Sequence, residues 1–208
     1  YGGSKGMPNP DTNPVQQFKK FALVSYATVN INENADIANG VYGGGKNGQI
    51  GLDSDDVELI HNTQVNINGG TVRHSVYGAG EGVFGETGYT NDTIAGLIMG
   101  NSEVNLLAGT VNNVFGGGRN SVNIGGATVN VGKPDFSNTG VTITGNVYGA
   151  NDHNGTPLGD VFVNVYNTAH TPANTYPQLP TGITEWTAAL LQGNADTMQY
   201  AINAVFGG

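Results

Sequence analysis

Cysteine is absent from all 208 residues. Disulfides, thiolate metal sites and thiol nucleophiles are therefore excluded, although the absence assigns no compartment by itself. Charge is also scarce. Only 11% of residues are charged, and 7 basic groups stand against 16 acidic ones for a net charge of -9. The longest basic run, Lys19-Lys20, is too short to hold a phosphate backbone or an anionic membrane surface, so no nucleic-acid partner is expected. No stretch approaches the roughly 20 apolar residues of a spanning helix, and no membrane insertion is expected. Glycine is the residue in excess. It supplies 34 of the 208 positions, about twice the ordinary usage of about 7%. There is no Gly-X-Y period, which excludes collagen, and interleaved Val, Ile, Tyr and Phe separate the chain from simple disorder. A β-rich chain with a tight turn every few residues remains.

One phrase returns along the chain. Val65-Asn66-Ile67-Asn68-Gly69-Gly70-Thr71-Val72 closes with Val76-Tyr77-Gly78, and Val104-Asn105-Leu106-Leu107-Ala108-Gly109-Thr110-Val111 closes with Val114-Phe115-Gly116. Looser copies run from Val29 to Gly45 and from Val129 to Gly149, with a stretched one from Val163 to Gly208. In each Val-Asn-Ile triplet the aliphatics share one face of a strand and the asparagine takes the other. A recurring supersecondary unit of this kind stacks, so the chain reads as one all-β domain over 1–208, a β-solenoid or β-helix of coils. The closing aromatics are separated by 35, 38, 33 and 58 residues, which places insertions at the corners. These fall at about 5–25, 46–62, 81–102, 133–140 and 168–199. The shortest spacing, Val104 to Val122, is 18 residues and suggests a single coil, with Val122-Asn123-Ile124 opening the next strand. Two insertions carry helical patterns, a weaker one over 16–23 and a capped one over 184–192. Tyr1-Gly2-Gly3 and Val205-Phe206-Gly207-Gly208 both match the closing phrase, so the chain reads as a piece of a longer array.

The repeated residues are structural candidates first. Asn30, Asn66, Asn105, Asn130 and Asn164 would align in stacked coils as an amide ladder; the alternative is an exposed amide row that binds sugar hydroxyls. Tyr42, Tyr77, Phe115, Tyr148 and Phe206 would form a column, either buried as packing or exposed as a platform for pyranose faces. Outside the repeat, Tyr89, Tyr166 and Trp186 are candidate ligand contacts. Asp53, Asp55 and Asp56 form the densest acidic cluster and are weak candidates for calcium, because the glycine and the final glutamate of an EF-hand loop are missing. No catalytic residue is assigned. His61, His74, His153 and His170 have no metal spacing, Asp152-His153 is a lone dipeptide, and the chain has no Gly-x-Ser-x-Gly elbow or phosphate loop. Thr142 and Thr144 do not by themselves make the flat threonine array of an ice-binding surface.

The phrase Val-Asn-Ile-x-Gly-Gly-Thr-Val followed by Val-Tyr-Gly-Gly-Gly resembles repeats of very large secreted or surface proteins of Bacteroidetes such as Bacteroides and Prevotella. The match covers about half of the chain: Val29 to Gly45, Val65 to Gly80, Val104 to Gly149 and the final nine residues. The resemblance implies a β-solenoid with an adhesin-like role at the cell surface, and it carries over no catalytic residue. The expected function is a structural or adhesive segment of an extracellular repeat protein, without enzymatic activity or cofactor. Expected partners are neighbouring coils or subunits of the same protein, and glycans or host or bacterial surface proteins. A carbohydrate-binding or carbohydrate-active β-helix is the alternative.

Overall fold

The computed structural model describes residues 1–6, 23–51, 62–82, 95–135, 137, 140–155, 157–169 and 202–208. Among these the protein is all-β, without helix, and its parallel sheets stack as a β-solenoid. The helical patterns at 16–23 and 184–192 lie outside the described residues, except for Leu23, which is not helical.

The first face of the solenoid comes from the Val-Asn-Ile strands. These are β1 (Ala27–Ile31), β4 (Thr63–Val72), β6 (Ser102–Val111), β8 (Ala127–Val131) and β11 (Val161–Val165), hydrogen-bonded in that order. Every pairing is parallel and the triplets are in register, so Val29 meets Val65, Val65 meets Val104, Val104 meets Val129 and Val129 meets Val163, although the β4–β6 register shifts on either side of Asn68. Alternation sets the faces. In β4 and β6 Val65, Ile67, Val104 and Leu106 are fully buried while the asparagines between them face out. β2 (Asp36–Ile37) and β9 (Gly140–Ile143) extend this sheet beside the ends of β4 and β6, aligning Thr71, Thr110 and Thr142.

The second face holds the Val-Tyr/Phe pairs: β3 (Val41–Tyr42), β5 (Val76–Tyr77), β7 (Val114–Phe115), β10 (Asn146–Tyr148) and β12 (Ala204–Phe206). Tyr1 and Gly2 add a partial coil ahead of β3, where the Gly2 N–H donates to the Tyr42 carbonyl at 2.8 Å. Among the described residues the third side has no long strands. Two columns of single bridges close it, Lys46–Glu81–Arg119–Asp152 and Val24–Ile50–Ile98–Asn123–Pro157. Residues inside the sequence-assigned insertions, such as Lys46, Ile50, Glu81 and Ile98, therefore complete the coils.

The 18-residue coil is overturned. Asn105 aligns with Asn130, 25 residues on, and Val122-Asn123-Ile124 lies on the third side instead of opening a strand beside β6. The triplet has the right alternation but the wrong place. Asn123 is fully buried and donates from Nδ2 to Ser102 Oγ at 2.6 Å, while Ile124 is exposed.

Inside the coils one continuous apolar core joins the first two faces, from Ile31 and Val41 through Val104 and Val114 to Ile143 and Val147. A smaller cluster of Ala27, Ile50, Ala79 and Ile98 fills the third corner. Each fully buried Val, Leu or Ile contributes about 1.5–3 kcal/mol relative to exposure. Two hydroxyls brace the interior: Thr63 Oγ1 donates to Gly78 O at 2.7 Å and Ser102 Oγ to Gly116 O at 2.6 Å.

Candidate functional site

The outward asparagines of the first face are brought into one line. Asn66 Nδ2 donates to Asn30 Oδ1 at 2.8 Å, Asn105 to Asn66 at 3.0 Å, Asn130 to Asn105 at 2.9 Å and Asn164 to Asn130 at 2.9 Å. Strand spacing makes this possible, because neighbouring strands lie about 4.8 Å apart and a side-chain amide spans that gap with one bond. All four bonds point the same way, each amide donating toward the N-terminal coil. Side branches steady the row: Asn66 also reaches Gln64 at 3.3 Å, Asn130 reaches Glu103 at 3.2 Å, and Gln64 donates to Glu103 at 2.9 Å.

The closing aromatics form a stack of six rings, since Tyr1 joins the five named from the repeat. Centroid separations run 4.8, 4.4, 5.1, 4.8 and 4.9 Å from Tyr1 through Tyr42, Tyr77, Phe115 and Tyr148 to Phe206, with planes within 10° of parallel. Each inner ring spends both faces on its neighbours, which leaves only edges for a ligand. The two outer rings differ. Tyr1 is 54% exposed and Phe206 48%, against 5–7% for Tyr42, Tyr77 and Phe115.

The glycine after each aromatic explains the close stacking. A Cβ on Gly43 would overlap the carbonyl oxygen of Gly78, one on Gly78 that of Gly116, and one on Gly116 that of Gly149. Only a residue without a side chain lets the coils approach this closely.

Beside the ring edges runs a row of charges that sequence reasoning missed. Lys46 Nζ lies 3.4 Å from Glu81, Arg119 Nη1 3.7 Å from Glu81, and Arg119 Nε 3.8 Å from Asp152. His153 Nδ1 is 2.6 Å from Asp152 Oδ1, and His153 takes a left-handed backbone with φ of 67°. The tyrosine hydroxyls lean into this row: Tyr1 donates to Glu81, and Tyr77 to Asp152 at 3.0 Å. Burial pushes the Tyr77 hydroxyl well above its ordinary pKa, with Asp152 adding to the rise. Burial raises Tyr42 too, and the charge of Glu81 adds to it. A signal for this row does exist in the sequence: Lys46, Glu81, Arg119 and Asp152 each stand four residues after a closing aromatic. Their signs alternate from Lys46 onward, so identity matching passes over them.

The cleft on this side encloses about 350 Å³ and is lined by Tyr1, Tyr42, Lys46, His74, Tyr77, Glu81 and Arg119 among others. Its acids and bases are largely spent on each other, with both carboxylates held against Arg119. Chemically it is a self-neutralising polar network. A second groove of about 280 Å³ lies over the asparagine row, with Asn66, Asn105 and Asn130 along it and Leu107, Lys133, Pro134 and Tyr166 beside it.

Neither family models, nor curated proteins, nor solved structures match this chain. The site must be read from its own residues. Of the candidate ligand contacts, Tyr166 sits at the groove, 37% exposed, whereas Tyr89 and Trp186 lie outside the described residues, as do Asp53, Asp55 and Asp56. Among the described residues no group of three His, Asp or Glu side chains is placed to hold a metal ion. Asp36 is occupied otherwise: the Arg73 guanidinium grips its carboxylate with bonds of 2.9 and 2.7 Å and lowers its pKa. The Thr71–Thr110–Thr142 column continues from Asp36 and is followed two residues on by Arg73, Asn112 and Thr144, so it is not part of a flat threonine surface.

Proposed function

We propose that this chain is a structural and adhesive segment of an extracellular, repetitive β-solenoid, a rigid stalk or filament component whose loops form a contact face. One observation carries the reading. The ring column and the asparagine row run through every coil, and the sheet edges at β1 and β11 are unpaired among the described residues. Open strand edges and stacking faces pair with further coils or with neighbouring copies. The asparagine row is directional as well, each amide donating toward the preceding coil. The reading is non-catalytic, supported by the use of Glu81 and Asp152 as ion-pair partners of Arg119.

Gly207 makes the test specific. A Cβ there meets nothing within 4 Å, yet it would stand where the carbonyl of an added coil comes to rest, as Gly207 O does beneath Gly149. Sedimentation of residues 1–208 over a concentration series is expected to show end-to-end species, and Gly207→Ala to abolish them without lowering thermal stability. A wild-type chain that stays strictly monomeric at all concentrations would overturn the reading.

A further inference from the structure

We infer that the groove over the asparagine row is a binding site for a neutral oligosaccharide, seated along the row across three coils. The floor is Asn66, Asn105 and Asn130, one from each of β4, β6 and β8, and the flank is formed by Leu107, Pro134 and Tyr166. Three features select the ligand class.

The first is hydrogen-bonding capacity. A side-chain amide has two N–H donors and two carbonyl lone pairs. The ladder takes one of each from Asn105, while Asn66 and Asn130 spend both N–H groups, the second on Gln64 and Glu103, and keep one carbonyl lone pair each. Vicinal sugar hydroxyls both donate and accept, so they suit a row with one N–H left at its centre and acceptors on either side. The second is the pairing of a polar floor with an apolar flank. Sugar rings present hydroxyls at their edges and C–H groups on their faces, and an exposed tyrosine ring beside a leucine and a proline offers a surface for the latter. The third is the repeat distance. Successive amides recur at the strand spacing of about 4.8 Å, close to the length of one pyranose unit, so a linear glycan can present successive units to successive coils.

A peptide strand is disfavoured by the location. It would add to an open edge through main-chain bonds, and the groove lies on the face of a sheet whose interior strands β4, β6 and β8 are paired on both sides. Charged polymers are disfavoured because Lys133 at the groove is offset by Glu103, which is bonded to the floor residue Asn130. The proposal gives the adhesive part of the reading above a ligand class, and its test does not depend on whether copies join end to end.

The test uses the 208-residue chain at a concentration where it is monomeric. Calorimetric titrations with neutral oligosaccharides of one to six units, covering gluco-, manno-, xylo- and N-acetylglucosamine series, are compared with an extended peptide of the Val-Asn-Ile type. Saturable binding is expected for one or more sugar series, with affinity climbing from mono- to trisaccharide and then levelling off, because the groove spans three coils. Tyr166→Ala is expected to weaken that binding about tenfold, the loss of one ring contact worth roughly 1.4 kcal/mol, while Tyr166→Phe stays within about twofold and both variants keep the wild-type melting curve. Absence of saturable binding across the panel overturns the proposal, as does full retention by Tyr166→Ala or binding of the peptide alone. End-to-end association is scored separately, without sugar, so either idea can fail while the other stands.

Discussion

The Tyr77 hydroxyl donates to Asp152 Oδ2 at 3.0 Å, 75 residues away, past the coil that carries Phe115. Asp152 holds His153 through its other oxygen. One carboxylate thus ties the ring stack to the charge row over two coil spacings. Tyr77→Phe keeps the ring and removes the tie. It is expected to cost about 1.5–3 kcal/mol, the range for a hydrogen bond to a charged group. Tyr148→Phe, which loses only a bond from Asn146, should cost about half as much or less. Denaturant unfolding of the two variants side by side checks the order, and equal losses would refute the special role of Asp152.

Ladder position should matter as much as ladder chemistry. Asn105→Ala removes the donor to Asn66 and the acceptor for Asn130, and an expected loss of about 1–3 kcal/mol follows from the two orphaned amide groups. Asn30 is exposed and among the described residues has a ladder neighbour on one side only, so Asn30→Ala should stay within about 0.5 kcal/mol of wild type. Chemical denaturation midpoints decide this, provided both variants keep the wild-type slope. A penalty for Asn30→Ala as large as that for Asn105→Ala would show that the ladder acts locally and not as a row.

Glycines that look alike in the repeat should behave differently. Gly78→Ala and Gly116→Ala each drive a methyl into the backbone of the adjoining coil, and backbone cannot yield as a flexible side chain would. A loss of about 3 kcal/mol or more, or failure to fold, is expected. At Gly207 the same substitution meets open space and should leave stability within about 0.5 kcal/mol. Expression yield and melting temperature of the three variants supply the comparison.

High pH should unfold the protein through its tyrosines. A tyrosine in an unfolded chain ionises near pH 10, and burial raises Tyr42 and Tyr77 above that value in the folded state. The contribution of these two hydroxyls is therefore complete below about pH 10 and is lost as pH rises through their folded-state values. Stability should be flat with respect to them near neutrality and fall on the alkaline side. Tyrosinate absorbance should then show a fraction of the nine tyrosines that ionises only as the circular dichroism signal collapses. Free titration of all nine before unfolding would contradict the buried stack.

The first two faces of the solenoid could be read without coordinates. Val-Asn-Ile and Val-Tyr/Phe-Gly alternate at strand period, and copies of one unit have little choice but to stack. The third side could not. Val24, Ile50, Ile98, Asn123 and Pro157 follow no common residue pattern or alternation, and they pair only through isolated bridges. Val122-Asn123-Ile124 went astray for the complementary reason: its local pattern is that of a strand triplet, but closure of the coil places it at a corner, where Asn123 turns inward to Ser102. The charge row was hidden because stacked charges must alternate in sign to avoid repulsion, and alternation defeats a search for repeated identity.

By itself the sequence determined that the chain stacks as coils, and which residues lie in line: Asn66 over Asn30, Tyr77 over Tyr42, glycine over glycine. Those relations follow from a period, and a period is a local property. The tertiary structure alone decided that Tyr77 reaches Asp152 across an intervening coil and that Tyr166 flanks the groove beside Asn105. Such contacts depend on where each coil closes and on how the side chains lean from one coil to the next. Coils whose asparagines are separated by 36, 39, 25 and 34 residues nonetheless meet in one row, and that geometry is written in the assembled core and not in any single repeat.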